Sequence, residues 1–191
     1  MSIDIVPIQR RHVAGFREVV DGVARERRWL AMQEAPPLSR IRRFVLDNLR
    51  DGAPQFVAVE DDRVVGWCDV KPKVYPSQRH SGVLGMGVAA THRGRGVGTA
   101  LLRATLDAAA TRGLTRIELV VRADNHAAIA LYERHGFQLE GRLHGYLIVD
   151  DVAYDALQMA KVSGLQDCKI APAPNLAILQ SCKPDTFESR W

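Results

Sequence analysis

The stretch GMGVAATHRGRGVGTALL, residues 85–102, decides how the chain is read. Its apolar beginning completes a buried strand over Gly82–Val88, although Gly82, Gly85 and Gly87 bring no side chain to pack. A turn holding Gly94, Gly96 and Gly98 follows and opens an amphipathic helix over Val97–Thr111. Leu102, Leu106 and Ala109 share one helix face, Arg103, Asp107 and Thr111 line the other, and Gly113 closes the helix. Glycines let a backbone approach an anion closely, and the first helical turn offers unpaired N–H groups pointing outward. The helix dipole adds positive potential there, so the natural ligand is a phosphate. Arg93 and Arg95 are either charge-assisted donors to it, worth about 1.5–3 kcal/mol each, or ordinary solvated arginines.

The type of phosphate ligand follows by exclusion. A nucleotide-hydrolysing loop needs G-x-x-x-x-G-K-[ST], and the only lysines before residue 161 are Lys71 and Lys73. Gly85-x-Gly87-x-x-Ala90 fits a dinucleotide fingerprint formally, but a Thr-His-Arg-Gly turn stands where that motif needs a helix. What remains, Arg93-x-x-Gly96-x-Gly98 between a strand and a helix, resembles the acyl-CoA pyrophosphate motif of the GNAT N-acetyltransferases. A second element, RADNHAAIALYERHGF over 122–137, is similar to that family's N-x-x-A-x-x-x-Y-x-x-x-G-F helix at Asn125, Ala128, Tyr132, Gly136 and Phe137. The resemblance covers about residues 2–162. More loosely, Glu140-Gly141 followed by Tyr154-Asp155 and Met159 is similar to members acting on small amines and amino acids.

The resemblance implies an α/β (α+β) fold: a mixed, mostly antiparallel sheet with helices on both faces. It implies acetyl-CoA as co-substrate and direct attack by an amine in a ternary complex. Met86 and Val88 would bond the pantetheine arm through their backbones. The amides of Arg93, Gly94, Arg95, Gly96, Val97, Gly98 and Thr99 would hold the pyrophosphate. Asn125 would contact the cofactor arm through its amide, and Tyr132 would reach the thioester sulfur as general acid. Many relatives carry a glutamate on the strand before the phosphate turn, but Ser81–Val88 contains no carboxylate. A base is still required, because alkylamines of pKa near ~10 are protonated at neutral pH. The candidates are His80, before that strand, and Asp69, on the preceding one. The acceptor implied is a small primary amine, such as an amino acid or a related antimetabolite. A protein N-terminus or lysine, and a non-catalytic acyl-CoA-binding module, are the alternatives.

Outward from these motifs, Ile3, Ile5 and Val6 suggest a first strand, and residues 9–33 read as helical up to Ala35-Pro36-Pro37. Ser39 is placed to cap a second helix whose Ile41, Val45 and Leu49 share a face, ended by Gly52. Gln55–Glu60 and Arg63–Val70 form a hairpin around Asp61-Asp62, and Lys71–Arg79 is a loop. Arg116–Val121 is a strand, Asn125–His135 a helix, and Phe137–Val149 with Val152–Val162 a long hairpin. The domain is therefore 1–162, with 163–191 an appendage in which Asn175–Gln180 suggests one helical turn.

The chain has 191 residues, 47% hydrophobic and 25% charged, the balance of an ordinary globular protein. Its net charge of +4 comes from residues 1–50, with ten arginines against six acidic residues. That excess is too small for a nucleic-acid footprint but favours an anionic acceptor, with Arg25, Arg27 and Arg28 either contacting it or forming a solvated face. Trp29 and Trp67 are expected to be buried rather than to line an acceptor pocket. Cys68, Cys168 and Cys182 form no C-x-x-C pair and the six histidines are scattered, so no metal is expected. With neither a signal segment nor a membrane-length apolar run, a cytoplasmic protein without membrane or nucleic-acid partners is expected, and a homodimer is left open.

Overall fold

The computed structural model describes residues 3–164; the expectation for 175–180, like Cys168 and Cys182, lies outside them. The chain runs β1 (Asp4–Pro7), α1 (Val13–Arg25), α2 (Leu38–Asp51), β2 (Gln55–Glu60), β3 (Arg63–Pro72), β4 (Ser81–Val88), α3 (Val97–Thr111), β5 (Arg116–Arg122), α4 (His126–Arg134), β6 (Gln138–Val149) and β7 (Val152–Val162). The seven strands form one sheet in the order β1-β2-β3-β4-β5-β7-β6, antiparallel throughout except for β4 against β5. One face carries α1 and α2, whose Phe16, Val20, Val23, Ile41 and Val45 bury against Val57 and Trp67. Under the other face Leu101, Leu102 and Ala109 of α3 and Tyr132 of α4 pack on Cys68, Leu84, Leu119 and Met159.

Local deviations have physical causes. The first helix stops at Arg25, and Arg27 takes a positive φ of 50°. α2 is entered from Pro37, so Ser39 lies inside its first turn and caps nothing. Leu49 is 41% exposed; the helix turns Asn48 inward instead, where its amide donates to Gln55 Oε1 at 2.9 Å. β3 runs on to Pro72, which pairs with Gly82, so part of the expected loop is strand.

Two of the three glycines of β4, Gly82 and Gly87, are a packing requirement rather than a weakness of the strand. A Cβ on Gly87 would lie 2.3 Å from the Trp67 ring, and one on Gly82 2.5 Å from Val70 Cγ1. Trp67 is buried across Gly87, while among the described residues Trp29 is half-buried, with Arg28 stacked 4.6 Å from its ring centroid. Gly87→Ala is expected to lower the unfolding midpoint strongly, by overpacking of about 1–3 kcal/mol or more, in thermal melts with and without acetyl-CoA.

Candidate active site

β4 and β5 pair only at Ser81, Gly82 and Val83, then part. β4 stays paired to β3 as far as Val88, so from Leu84 onward it shows an unpaired backbone edge to the wedge. The polarity of that edge follows from one bond. Ala89 N–H donates to Val65 O on β3 at 2.9 Å, so alternation turns Gly87 and Gly85 toward β3 and Val88 and Met86 toward the wedge. Arg93 Nε donates to Val88 O at 2.9 Å, which leaves Val88 N–H and both polar groups of Met86 on the open edge.

At the top of the wedge sits the glycine turn. Gly94 and Gly96 adopt φ of 73° and 80°, and a Cβ on either would meet open space. Gly96 is the N-cap of α3, and the first bond of that helix is Ala100 N–H to Gly96 O at 3.0 Å. The N–H groups of Val97, Gly98 and Thr99 therefore precede the first intrahelical bond. Gly98 is different: a Cβ there would make ordinary contacts at 3.4–3.5 Å with Leu131 and Met86.

The arginine side chains of the turn do not match the expectation of free phosphate donors. Arg93 grips Glu26, at the end of α1, through two bonds of 2.6 and 2.8 Å. Arg95 donates to Glu60 Oε1 at 2.9 Å, while His92 meets the other oxygen of the same carboxylate at 2.8 Å. Both arginines thus fasten the turn to α1 and β2, and what is left there for an anion is the backbone N–H groups and the remaining N–H donors of Arg95, whose side chain is 46% exposed. Nothing local in the sequence marks Glu26 or Glu60, because their partners lie 67 and 35 residues along the chain.

Asn125 caps α4, its Oδ1 accepting from Ala128 N–H at 3.2 Å. Its carbonyl oxygen is thereby committed, and its NH₂ is the part of the amide left for a ligand. One helical face further on, Tyr132 is 7% exposed and packs its ring on Phe137 with centroids 5.6 Å apart. Burial, with the Cys68 thiol nearby, pushes its phenol pKa upward. It belongs to the same apolar cluster as Leu84, Met86 and Val88, beneath the wedge.

The two base candidates separate clearly. His80 is exposed ahead of β4, at the end where β4 and β5 are paired, and its carbonyl accepts from Thr115 and Arg116. At about 3.3 Å per residue it stands roughly 16 Å along the chain from Gly85, outside the wedge. Asp69 lies directly across from Gly85, whose Cβ position is 3.6 Å from Asp69 Oδ1. It faces the α1/α2 side, is 8% exposed, and has no hydrogen bond or ion pair among the described residues. Burial raises its pKa to about 7, with Lys71 pulling the other way. Cys68 is fully buried and its thiol is pushed up by burial, which makes it inert packing.

On the α1/α2 side of the sheet, where an acceptor is expected, the α1–α2 segment and the β6–β7 hairpin meet in an Arg27–Asp150 ion pair. Arg25 pairs with Asp21 at 2.6 Å, so neither arginine is a free acceptor ligand. The residues of loose similarity are also committed: Glu140 to Arg116, and Met159 to the core. Asp155 holds a bulge through Arg142, His144 and Gly145 N–H, bonds that draw its pKa down to about 2. Tyr154 lies under the buried Arg122 guanidinium at 3.6 Å. Among the described residues no three His, Cys, Asp or Glu side chains converge as a metal site, and no helix is long and apolar enough to cross a membrane.

The sequence profile of the Acetyltransferase (GNAT) family matches residues 22–137, which include the wedge, the glycine turn and α4 but end before the β6–β7 hairpin. The chain is 34% identical over 114 residues to the L-amino acid N-acetyltransferase AaaT of Escherichia coli (strain K12), covering 59% of this chain and 70% of that protein. It is 36% identical over 94 residues to N-alpha-acetyltransferase 30 of Schizosaccharomyces pombe, covering 49% of this chain and 63%, less than two thirds, of that relative. Among solved structures, the ribosomal-protein-alanine N-acetyltransferase from Brucella melitensis superposes with a TM-score of 0.78 at 25% identity, over 83% of this chain and 99% of that one.

Proposed function

This chain belongs to the acetyltransferase (GNAT) family and is an acetyl-CoA-dependent acetyltransferase, and from that premise we propose that its acceptor is the primary amine of a small molecule, an amino acid or a relative of one. The observation that carries the reading is the position of Asp69: a buried, unpaired carboxylate beside the open strand edge, on the acceptor face.

Acetyl-CoA supplies the thioester. Met86 C=O and Val88 N–H are spaced to receive the amides of its pantetheine arm as an added strand would be received. The backbone from Arg93 to Thr99 meets the pyrophosphate, and the Asn125 NH₂ is left to hold the arm. The amine nitrogen bonds to the carbonyl carbon while Asp69 takes its proton. The C–S bond then breaks, and the Tyr132 hydroxyl donates a hydrogen bond to the departing sulfur. No side chain of the wedge needs to carry the acetyl group itself.

A peptide acceptor is the second reading, favoured by the names of two of the relatives. Against it stands the Arg27–Asp150 bridge, a surface contact that links the α1–α2 segment to the β6–β7 tip. Release of free thiol from acetyl-CoA, followed over a panel of amines, amino acids and peptides, separates the two. Small amines should be turned over with the higher kcat/KM; a peptide preferred to all of them would replace this reading with the second.

The cofactor turn is tested separately. Gly96→Ala places a methyl in the open space above the turn, at a backbone conformation costing about 1–2 kcal/mol for an L-residue. Gly113→Ala carries the same strain at the other end of α3, where φ is 82° and no ligand is expected. Both variants should lose similar stability, but calorimetry should find acetyl-CoA affinity down tenfold or more in Gly96→Ala alone. Equal affinities would remove the turn from the binding site.

A further inference from the structure

Of the ten arginines in the first fifty residues, Arg25, Arg27 and Arg50 form ion pairs among the described residues, and Arg40, Arg42 and Arg43 on α2 do not. A cleft of about 560 Å³ runs between α2 and the end of β3, lined among others by Arg40, Arg43, Phe44, Lys71, Lys73 and Arg112. Its two carboxylates, Asp47 and Asp51, are both held by Arg50, at 3.2 and 2.9 Å. Lys73 is paired with Glu118 at 2.6 Å, and Arg112 donates to Gly52 O at 2.6 Å. Arg40, Arg43 and Lys71 form no ion pair among the described residues. Lys71 lies 6.0 Å from the centroid of the Phe44 ring and feels the Asp51 and Asp69 carboxylates without a direct ion pair, so an apolar wall stands beside cations that have no close counter-ion. Such a cleft fits a ligand that ends in an anion and has an aliphatic stem.

The cleft is tied to the reacting centre by strand geometry. Lys71 follows Asp69 by two residues on β3, so both side chains leave the same face with Cα atoms about 6–7 Å apart. Lys71 is also the group that opposes the burial of Asp69 electrostatically. An amine delivering its proton to Asp69 while an anion reaches Lys71 and Arg43 must separate the two by roughly that distance. An α-amino acid is too short, since its nitrogen and carboxylate share one carbon. A chain of about four or five methylenes spans the gap.

We propose that the α2–β3 cleft is the acceptor's anion subsite and that the preferred acceptor is an ω-amino acid type of amine, its carboxylate or phosphate some five or six bonds from the nitrogen. The inference rests on the assignment of Asp69 as base, and two measurements keep the two claims apart. In turnover, 5-aminopentanoate should exceed pentylamine in kcat/KM by about ten- to a hundredfold, and also exceed glycine. The Arg40→Ala/Arg43→Ala double variant should bring the first ratio close to one, and 0.5 M salt should shrink it. In calorimetry with CoA present, 5-aminopentanoate should bind the wild type at least tenfold tighter than the double variant. If binding follows the arginines but no amine is acetylated, the cleft is upheld and the base assignment falls. If the amines are acetylated without preference, or the preference and the binding survive in the double variant, the cleft is not the subsite.

Discussion

Replacing Asp69 by Asn should abolish most turnover at pH 8 while making the protein more stable at that pH. Both effects come from one cause, the burial of a carboxylate that has no partner among the described residues. As a base it contributes about 10²–10⁴-fold, and Asn, which cannot accept a proton, forfeits that factor in kcat. The wild-type kcat/KM should climb about tenfold per pH unit on the acid side and bend near pH 7, where Asp69 ionises. On stability, the native carboxyl holds its proton more tightly than the unfolded one, whose ordinary value is 3.8. The stabilising contribution is therefore full below about pH 4 and is lost as pH rises through 7. Above that the ionised group costs on the order of 4 kcal/mol, at about 1.4 kcal/mol per pH unit. Asp69→Asn removes the ionised form, so its unfolding free energy should exceed that of the wild type at pH 8 and match it near pH 4. Full activity in Asp69→Asn would pass the base role elsewhere, and lower stability at both pH values would make Asp69 a packing residue.

The proposed base was hard to read in the sequence, because its raised pKa belongs to no local pattern. Asp69 acquires it only when β3 and β4 pair and α1 covers the strand; in the chain it is one aspartate among many. The order of strands and helices was legible, since each long element carries its own periodicity and a terminating glycine or aspartate turn. Period and packing diverge on α2: Leu49 satisfies a four-residue spacing, yet the helix buries Asn48 to meet Gln55. The phosphate turn was legible as backbone, because glycine at positive φ is a local demand. The fate of Arg93 and Arg95 was not, since Glu26 and Glu60 arrive from distant elements. His80 drew notice by chemistry alone, and strand pairing leaves it on the closed side of the wedge.

Tyr132 poses the complementary test, at the leaving group. Asn125 and Tyr132 are seven residues apart, about two turns and ~10 Å along one helical face. A group fixed at the cap can thus hold the cofactor arm while the hydroxyl reaches farther along it. Burial raises the phenol above its ordinary value of 10.0, so it stays protonated across the working range. A thiol of pKa about 8.5 is the stronger acid of the two, so complete proton transfer from Tyr132 to the thiolate is uphill. In the proposed role the hydroxyl would therefore act chiefly by donating a hydrogen bond as negative charge gathers on sulfur, in surroundings where that bond is strong. Its removal should cost near the lower end of the general-acid range, about 10²-fold in kcat, with acetyl-CoA affinity barely changed. Tyr132→Phe keeps the packing on Phe137, so melts should coincide with those of the wild type. A group that meets only the sulfur makes no contact with the acceptor, so the loss should be the same for every amine tested. It should shrink with thioesters of more acidic thiols, which need less help to leave. An undiminished kcat would leave Tyr132 with packing alone, and a large fall in acetyl-CoA affinity would make it a binding residue instead.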